Sequence, residues 1–455
     1  MNPYEFQEAH RDTFLDELKD WLRIPSISTL SAHKDDVRRA AEWLCEHFVQ
    51  IGMTRAEVFP TTGHPIVYAE WLGAPGAPTV LVYGHYDVQP ADDAGKQWLS
   101  DPFEPVIRDG KLFARGATDD KGQTFTQVKA VHSLLATGTM SLNVKFIVEG
   151  EEESGSPSMY PFVEQHADLL AADVTVVSDT QILALDRPSI VTGLRGIVYM
   201  EIEVRGPRQA LHSGVYGGII HNPAQALTEI LAALHDRDGR VAVPGFYDDV
   251  VELSPAERAA LAQVPFTLER LQRDTGVSVP WGEPGYELHE RLGIRPTLEI
   301  NGLVSGWTGE GGKTVLPDTA LAKVSCRLVP RQDPHTIYRL VADHVAALTP
   351  PTVRSETRLL HAGNWVVVDV NSPYMQAAAR AYEFGFGATP VYTRDGGSIP
   401  VIGALQKVLG TPVVLMGFGL PDDNLHAPNE KYSLESFYRG MRTAAHFYQE
   451  LGRRG

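Results

Sequence analysis

The chain has 455 residues, 43% of them hydrophobic and 21% charged, enough for two or three domains with substantial cores. Its formal net charge of -17, with no cluster of lysine or arginine to offset it locally, argues against a nucleic-acid partner. Only Cys45 and Cys326 occur, so neither a disulfide framework nor a thiolate zinc site is readable.

Near the N-terminus, Phe14, Leu18, Trp21 and Leu22 recur at helical spacing among charges, which reads as an amphipathic helix and not as the apolar core of a secretion signal. No apolar run is long enough to span a bilayer, so a cytoplasmic protein without membrane contact is expected. Four short apolar runs then follow, each leading into an acidic residue or a histidine. Val80, Leu81 and Val82 lead to His85 and Asp87; Val144, Phe146, Ile147 and Val148 lead to the glutamates of "EGEEESGS". Val174, Val176 and Val177 lead to Asp179, and Val413, Val414 and Leu415 lead to a loop holding His426. Runs of this length bounded by Gly, Ser or Pro predict strands buried on both faces, as in a parallel-type sheet. Helical spacing lies between them, for example Val128, Val131 and Leu135.

The middle of the chain has a different period. Val198, Met200, Ile202 and Val204 alternate with polar residues, as do Val324, Cys326 and Leu328, which predicts antiparallel strands with one covered face. Helical stripes follow each strand: Leu227, Ile230, Leu231 and Leu234 after the first, Ile337, Leu340, Val341, Val345 and Leu348 after the second. Residues 240–295, rich in Pro, Gly and charge, read as loops and short helices. The expected organisation is an α/β domain of residues 1–192 and 373–455, with a mostly parallel sheet flanked by helices. An α+β domain built on an antiparallel sheet, residues 193–372, is inserted into it.

Ligands of layered α/β domains bind outside the carboxyl ends of the strands, so the residues after the four apolar runs converge on one rim. Two histidines and several carboxylates without cysteine suit zinc, manganese or another divalent ion that takes nitrogen and oxygen ligands. One ion would leave carboxylates over. Two ions about 3.5–4 Å apart, bridged by a carboxylate and a water, use them all and suit hydrolysis. An unligated carboxylate then serves as general base. On the residues alone, Asp119 equally fits the N-cap of a helix starting near Gln123, and Asp120 fits either part.

At "GHYDVQP", "RGATDDKG", "EGEEESGS", "VVSDT", "ALHSGVYGG", "RLVPRQDP", "TRDGGSIP" and "HAPNEK", in that order, the chain resembles the co-catalytic metallopeptidase family of carnosinases, bacterial dipeptidases, glutamate carboxypeptidases and acetylornithine deacetylase. The resemblance implies that His85 and Asp179 hold one metal, that Glu153 and His426 hold the other, and that Asp119 bridges them. It further implies a cis peptide after Asp119. Asp87 then orients the His85 imidazole and Glu152 is the general base acting on a metal-bridging hydroxide. That leaves Glu149 and Glu151 as ordinary loop or supporting acids.

The inserted domain is implied to be a lid that also carries a homodimer contact, through which His212 reaches the partner's site as an oxyanion donor. Arg327, His361 and Ser398 resemble contacts to the substrate carboxylate, the reacting carbonyl region and the substrate terminus, the arginine fork being matched to a carboxylate. The implied cofactor is a pair of divalent ions, zinc first, with manganese or cobalt as alternatives.

Within the family, aspartate at position 179 and the wording of the motifs resemble the carnosinase and dipeptidase branch. Cleavage of dipeptides, at the one peptide bond beside a free carboxylate, is therefore expected. An N-acyl or N-carbamoyl amino acid amidohydrolase is the alternative, and a non-catalytic binding protein of the same fold the remote one.

Overall fold

Strand Thr79–His85 is buried along almost its whole length, and Val80, Leu81 and Val82 are no more than 1% exposed. Burying each such side chain stabilises the fold by about 1.5–3 kcal/mol relative to leaving it in water. The computed structural model describes residues 1–91, 97–264 and 266–453 and divides into two units. The first unit comprises Met1–Thr192, Val368–Thr393 and Ala404–Gly455; the second comprises Gly193–Val367 and Arg394–Gly403.

In the first unit, Thr79–His85 pairs in parallel with Asn143–Glu149 on one side and Val174–Val177 on the other, and the latter pairs in parallel with Val413–Leu415. These are the four apolar runs expected to form strands. Outside them the sheet turns antiparallel: Asn143–Glu149 pairs with Ile66–Trp71, which pairs with Arg55–Phe59, and Leu415 meets Val191 of Ser189–Leu194. The sheet is therefore mixed, parallel at its centre and antiparallel toward its edges.

The helix Arg11–Leu22 buries Phe14, Leu18, Trp21 and Leu22, as their spacing predicts. The helix Lys121–Ala136 differs from its expected stripe. It is buried on nearly every side, with Leu134 rather than Leu135 fully enclosed, because it lies between the sheet and the helices Arg11–Leu22 and Leu434–Gly452. Its buried Lys121 Nζ donates to the carbonyls of Trp21 and Ile24, at 3.1 and 2.7 Å.

In the second unit, an antiparallel sheet runs in the order Thr297–Ser305, Thr319–Leu328, Gly196–Arg205, Arg354–Gly363. The Gly196–Arg205 strand alternates between buried and half-buried positions along almost its whole length, and Val198, Met200, Ile202 and Val204 share a core with Val324, Cys326 and Leu328. Helices Pro223–Ala232 and Pro334–Leu348 cover that face with Leu227, Ile230, Leu231, Ile337, Val341 and Val345. Each begins with an Asn or Asp side chain capping a backbone N–H and a proline at the first position, which fixes where the helix starts. Residues 240–295 hold the short helices Pro255–Leu261, Leu268–Thr275 and Leu288–Gly293 between loops.

Candidate metal centre

Three neighbouring parallel strands deliver three parts of the site from their carboxyl ends. His85 is the last residue of the central strand and is fully buried. In register beside it, Glu149 leads into the turn of one short 3-10 helix, Glu152–Ser154, which closes on Gly155 at φ 92. Only a residue without a Cβ takes that left-handed conformation freely. Asp179 follows the third strand, Val174–Val177. Asp119 lies in the turn before helix Lys121–Ala136, and its peptide bond to Asp120 is cis. His426 comes from the loop after Val413–Leu415 and holds a left-handed backbone at φ 57, a region few non-glycine residues occupy.

These side chains converge. Asp119 divides its carboxylate between the two histidines: Oδ1 lies 3.2 Å from His85 Nε2 and Oδ2 lies 2.8 Å from His426 Nε2. His85 Nε2 is also 4.0 Å from Asp179 Oδ2, and His426 Nε2 is 3.3 Å from Glu153 Oε2. Two sets of ligand atoms result, His85–Asp119–Asp179 and Asp119–Glu153–His426, each with its atoms within 4.8 Å of one another and with Asp119 common to both.

The donor chemistry fits a divalent cation in each set. His85 Nδ1 lies 3.1 Å from the Asp87 carbonyl, its bonding partner, while its buried Nε2 has no hydrogen-bond partner and faces carboxylate oxygens. A lone pair aimed at anions is unfavourable unless a proton or a cation lies between them. Protons alone meet this only through large shifts. Burial, reinforced by neighbouring acids, pushes Asp179 and Glu152 well above the usual carboxylate range and Glu153 upward. Hydrogen bonds that His426 donates to the Asp119 and Glu153 carboxylates push it up to about 11. A cation supplies the same positive charge while leaving the ligands in the states in which they bind metal.

Asp87 organises the site without entering either set. Its Oδ2 accepts from Ser28 Oγ at 2.6 Å and from the Glu153 N–H at 3.1 Å, while its Oδ1 accepts from the Glu152 N–H at 3.2 Å and lies 3.3 Å from His85 Nδ1. Glu152 belongs to neither set, and among the described residues no hydrogen bond or ion pair reaches its carboxylate. Of the remaining acids in the run, Glu149 is buried and accepts from Tyr83 and Ser156 at 2.7 and 2.9 Å, and Glu151 accepts from the Ser158 N–H.

Three residues take bracing roles that the sequence does not assign to them, although it makes Asp120 a candidate for the bridge or the N-cap. Gln89 Nε2 donates to Glu153 Oε2 at 2.7 Å. Asp120 Oδ2 accepts from the His85 N–H at 3.2 Å and from Thr124 Oγ1 at 2.8 Å, bracing the end of the central strand. Glu430 is buried and binds the turn that carries Asp119. "GHYDVQP" and "HAPNEK" contain two of the three, and Asp120 adjoins Asp119 in "TDDKG", but nothing in the wording of these motifs distinguishes a brace from a solvated polar residue.

The second unit brings Arg327 and Ser398 together. Arg327 Nη1 donates to Ser398 Oγ at 2.7 Å, and Ser398 Oγ donates to the Arg195 carbonyl at 2.5 Å. His212 is exposed, its Nδ1 accepting from the Gly214 N–H at 2.9 Å. His361 lies half-buried on strand Arg354–Gly363, and its Nε2 has no partner among the described residues. Neither histidine hydrogen-bonds to Arg327 or Ser398 among those residues.

The model of peptidase family M20/M25/M40 matches residues 81–450. The Cys-Gly metallodipeptidase dug1 of Schizosaccharomyces pombe is 32% identical, over 98% of this chain and 97% of that protein. The human Beta-Ala-His dipeptidase is 32% identical over 98% of this chain and 92% of its own length. The solved structure of the di-peptidase Dug1p from Saccharomyces cerevisiae matches at a TM-score of 0.90 and 30% identity, covering 99% of this chain and 98% of that one. An amidase of the hydantoinase/carbamoylase family from Burkholderia multivorans, at 13% identity and a TM-score of 0.57, shares the fold alone.

Proposed function

The chain belongs to peptidase family M20/M25/M40 and is a metallopeptidase that hydrolyses dipeptides, and we propose that it does so at a dinuclear centre held by His85, Asp119, Glu153, Asp179 and His426. One observation carries this reading: the two Asp119 oxygens point to two different histidines, each of which has a further carboxylate of its own. When bound, two divalent cations supply Lewis acidity, acidifying a water and polarising the scissile carbonyl. Zinc is the first choice for such nitrogen and oxygen ligands, with manganese and cobalt as alternatives.

The remaining work falls to the chain's own residues. Glu152 accepts the proton of the attacking water and passes it to the departing amine nitrogen as the C–N bond breaks. Asp87 holds the ring of His85 and the backbone of Glu152 in one arrangement. Arg327, its fork steadied by Ser398, binds the substrate's free carboxylate, and His361 serves the region of the reacting carbonyl.

The active assembly is a homodimer in which His212 donates to the oxyanion of the partner's substrate. Apolar exposure beside His212 supports this: Val215, Tyr216 and Ile219 follow it directly, and Ile219 is 77% exposed. Ile300, Leu303 and Val304 on strand Thr297–Ser305 are also exposed. His212→Ala is accordingly expected to lower kcat about 100-fold, the usual cost of one oxyanion donor, with metal content unchanged. Metal analysis beside steady-state kinetics checks it, and metal loss would make His212 a structural residue.

Cys45 and Cys326 are unpaired, which suits the cytoplasm, and among the described residues no helix is long and apolar enough to cross a membrane. The deciding experiment strips the protein of metal, restores single ions, and assays dipeptides beside N-acetyl and N-carbamoyl amino acids. Turnover of dipeptides with two ions per chain is the expected result. Faster turnover of the acylated amino acids would favour the amidohydrolase instead.

A further inference from the structure

One carboxylate near the centre belongs to neither metal set yet accepts four hydrogen bonds. Glu430 is fully buried and lies in the same loop as His426. Its Oε1 accepts from the N–H groups of Thr118 and Asp119, both at 3.0 Å. Its Oε2 accepts from the Gly116 N–H and from Arg115 Nη1, both at 2.9 Å. Thr118 adds a second stitch between the same two segments, its Oγ1 donating to the Lys431 carbonyl at 2.7 Å and to Asp423 Oδ2 at 3.1 Å. Asp423 is closed by the Leu420 N–H and by Lys431 Nζ.

The turn that carries Asp119 sits between the strand Lys111–Phe113 and the helix Lys121–Ala136, where no sheet or helix ladder pairs its backbone. The Glu430 carboxylate takes over that pairing. Because Glu430 belongs to the His426 loop, the same bonds fix the two segments that bring Asp119 and His426 to 2.8 Å. We propose that Glu430 is a positioning residue: it locks the Asp119 turn to the His426 loop and thereby presets the separation of two metal ligands before any ion arrives. The inference rests on the proposed ligand set.

A glutamine at this position keeps the shape and loses the function. An amide has one acceptor oxygen, so it can serve Thr118 and Asp119 or Gly116 and Arg115, and its NH2 then opposes the other pair of donors. Glu430→Gln is expected to bind zinc at least tenfold more weakly, measured by competition with a chromophoric chelator. Its kcat at saturating zinc, counted per chain that binds zinc, should fall about tenfold or more while KM for a dipeptide stays within twofold; a general loss of folded protein lowers the number of zinc sites but leaves the affinity and turnover of the remaining ones unchanged.

Wild-type zinc affinity and kcat in a folded Glu430→Gln protein would overturn the proposal, whereas a wild type that itself fails to bind zinc would overturn the metal reading as well. Should the variant not fold, amide hydrogen exchange on the wild type decides. Exchange across residues 114–120 is expected to be as slow in chelator-treated protein as in holoenzyme, because the brace does not need the ion. Fast exchange that slows only when zinc is added would show that the metal, and not Glu430, orders the turn.

Discussion

Glu152→Gln is expected to retain its full metal content and to lose kcat by about 10²–10⁴-fold, with KM little changed. The change is confined to one function. Among the described residues the Glu152 carboxylate has no hydrogen bond or ion pair, so the amide breaks none of them. The turn survives because Asp87 holds it through the backbone N–H groups of Glu152 and Glu153, which the substitution leaves in place. What disappears is a group able to accept a proton beside the proposed ligands. Metal analysis and steady-state kinetics on one preparation test this; near-normal turnover would show that another residue is the base.

The second large effect concerns Asp119. Asp119→Ala removes the carboxylate whose two oxygens face His85 Nε2 and His426 Nε2, so both sets lose a ligand at once. Loss of a mere orienting partner typically weakens metal binding 10–100-fold, and a direct shared ligand is expected to exceed about 100-fold at each position. Metal content should fall below one ion per chain at ordinary free zinc, and activity with it. His426→Ala touches only the set containing Glu153 and is expected to lose a single ion. Equal losses in the two variants would deny Asp119 its shared position.

Much of this arrangement was legible because strongly apolar strands announce themselves and end where chemistry begins. His85, Glu153, Asp179 and His426 each follow such a run, and the structure brings them together with Asp119. The alternating strands of the second unit were equally plain, since Val198, Met200, Ile202 and Val204 face one core.

The edge of the main sheet was not. Arg55–Phe59 mixes charge with apolar residues and leaves much of its length half-exposed, so its sequence lacks the continuous burial that marks the central strands. The enclosed helix misled for the opposite reason. Lys121, Gln123, Gln127 and Lys129 are of types that usually face water, yet all four are buried. Lys121 is satisfied by the carbonyls of Trp21, in the helix Arg11–Leu22, and of Ile24, just beyond its end, and period alone carries no trace of such partners. The braces at Gln89, Asp120 and Glu430 were hidden likewise, because a buried polar group declares itself only through neighbours that the fold supplies.

The bonds of Asp87 have an evolutionary consequence. One carboxylate contacts the imidazole of one proposed ligand and the peptide groups of another and of the proposed base, so on that reading a change at this position shifts ion affinity and proton transfer together. Selection cannot adjust one trait there and spare the other. Ser28 offers a gentler route, since its hydroxyl reaches Asp87 from outside both sets. A substitution at Ser28 would alter the site through that single bond, leaving every proposed ligand and the proposed base in place.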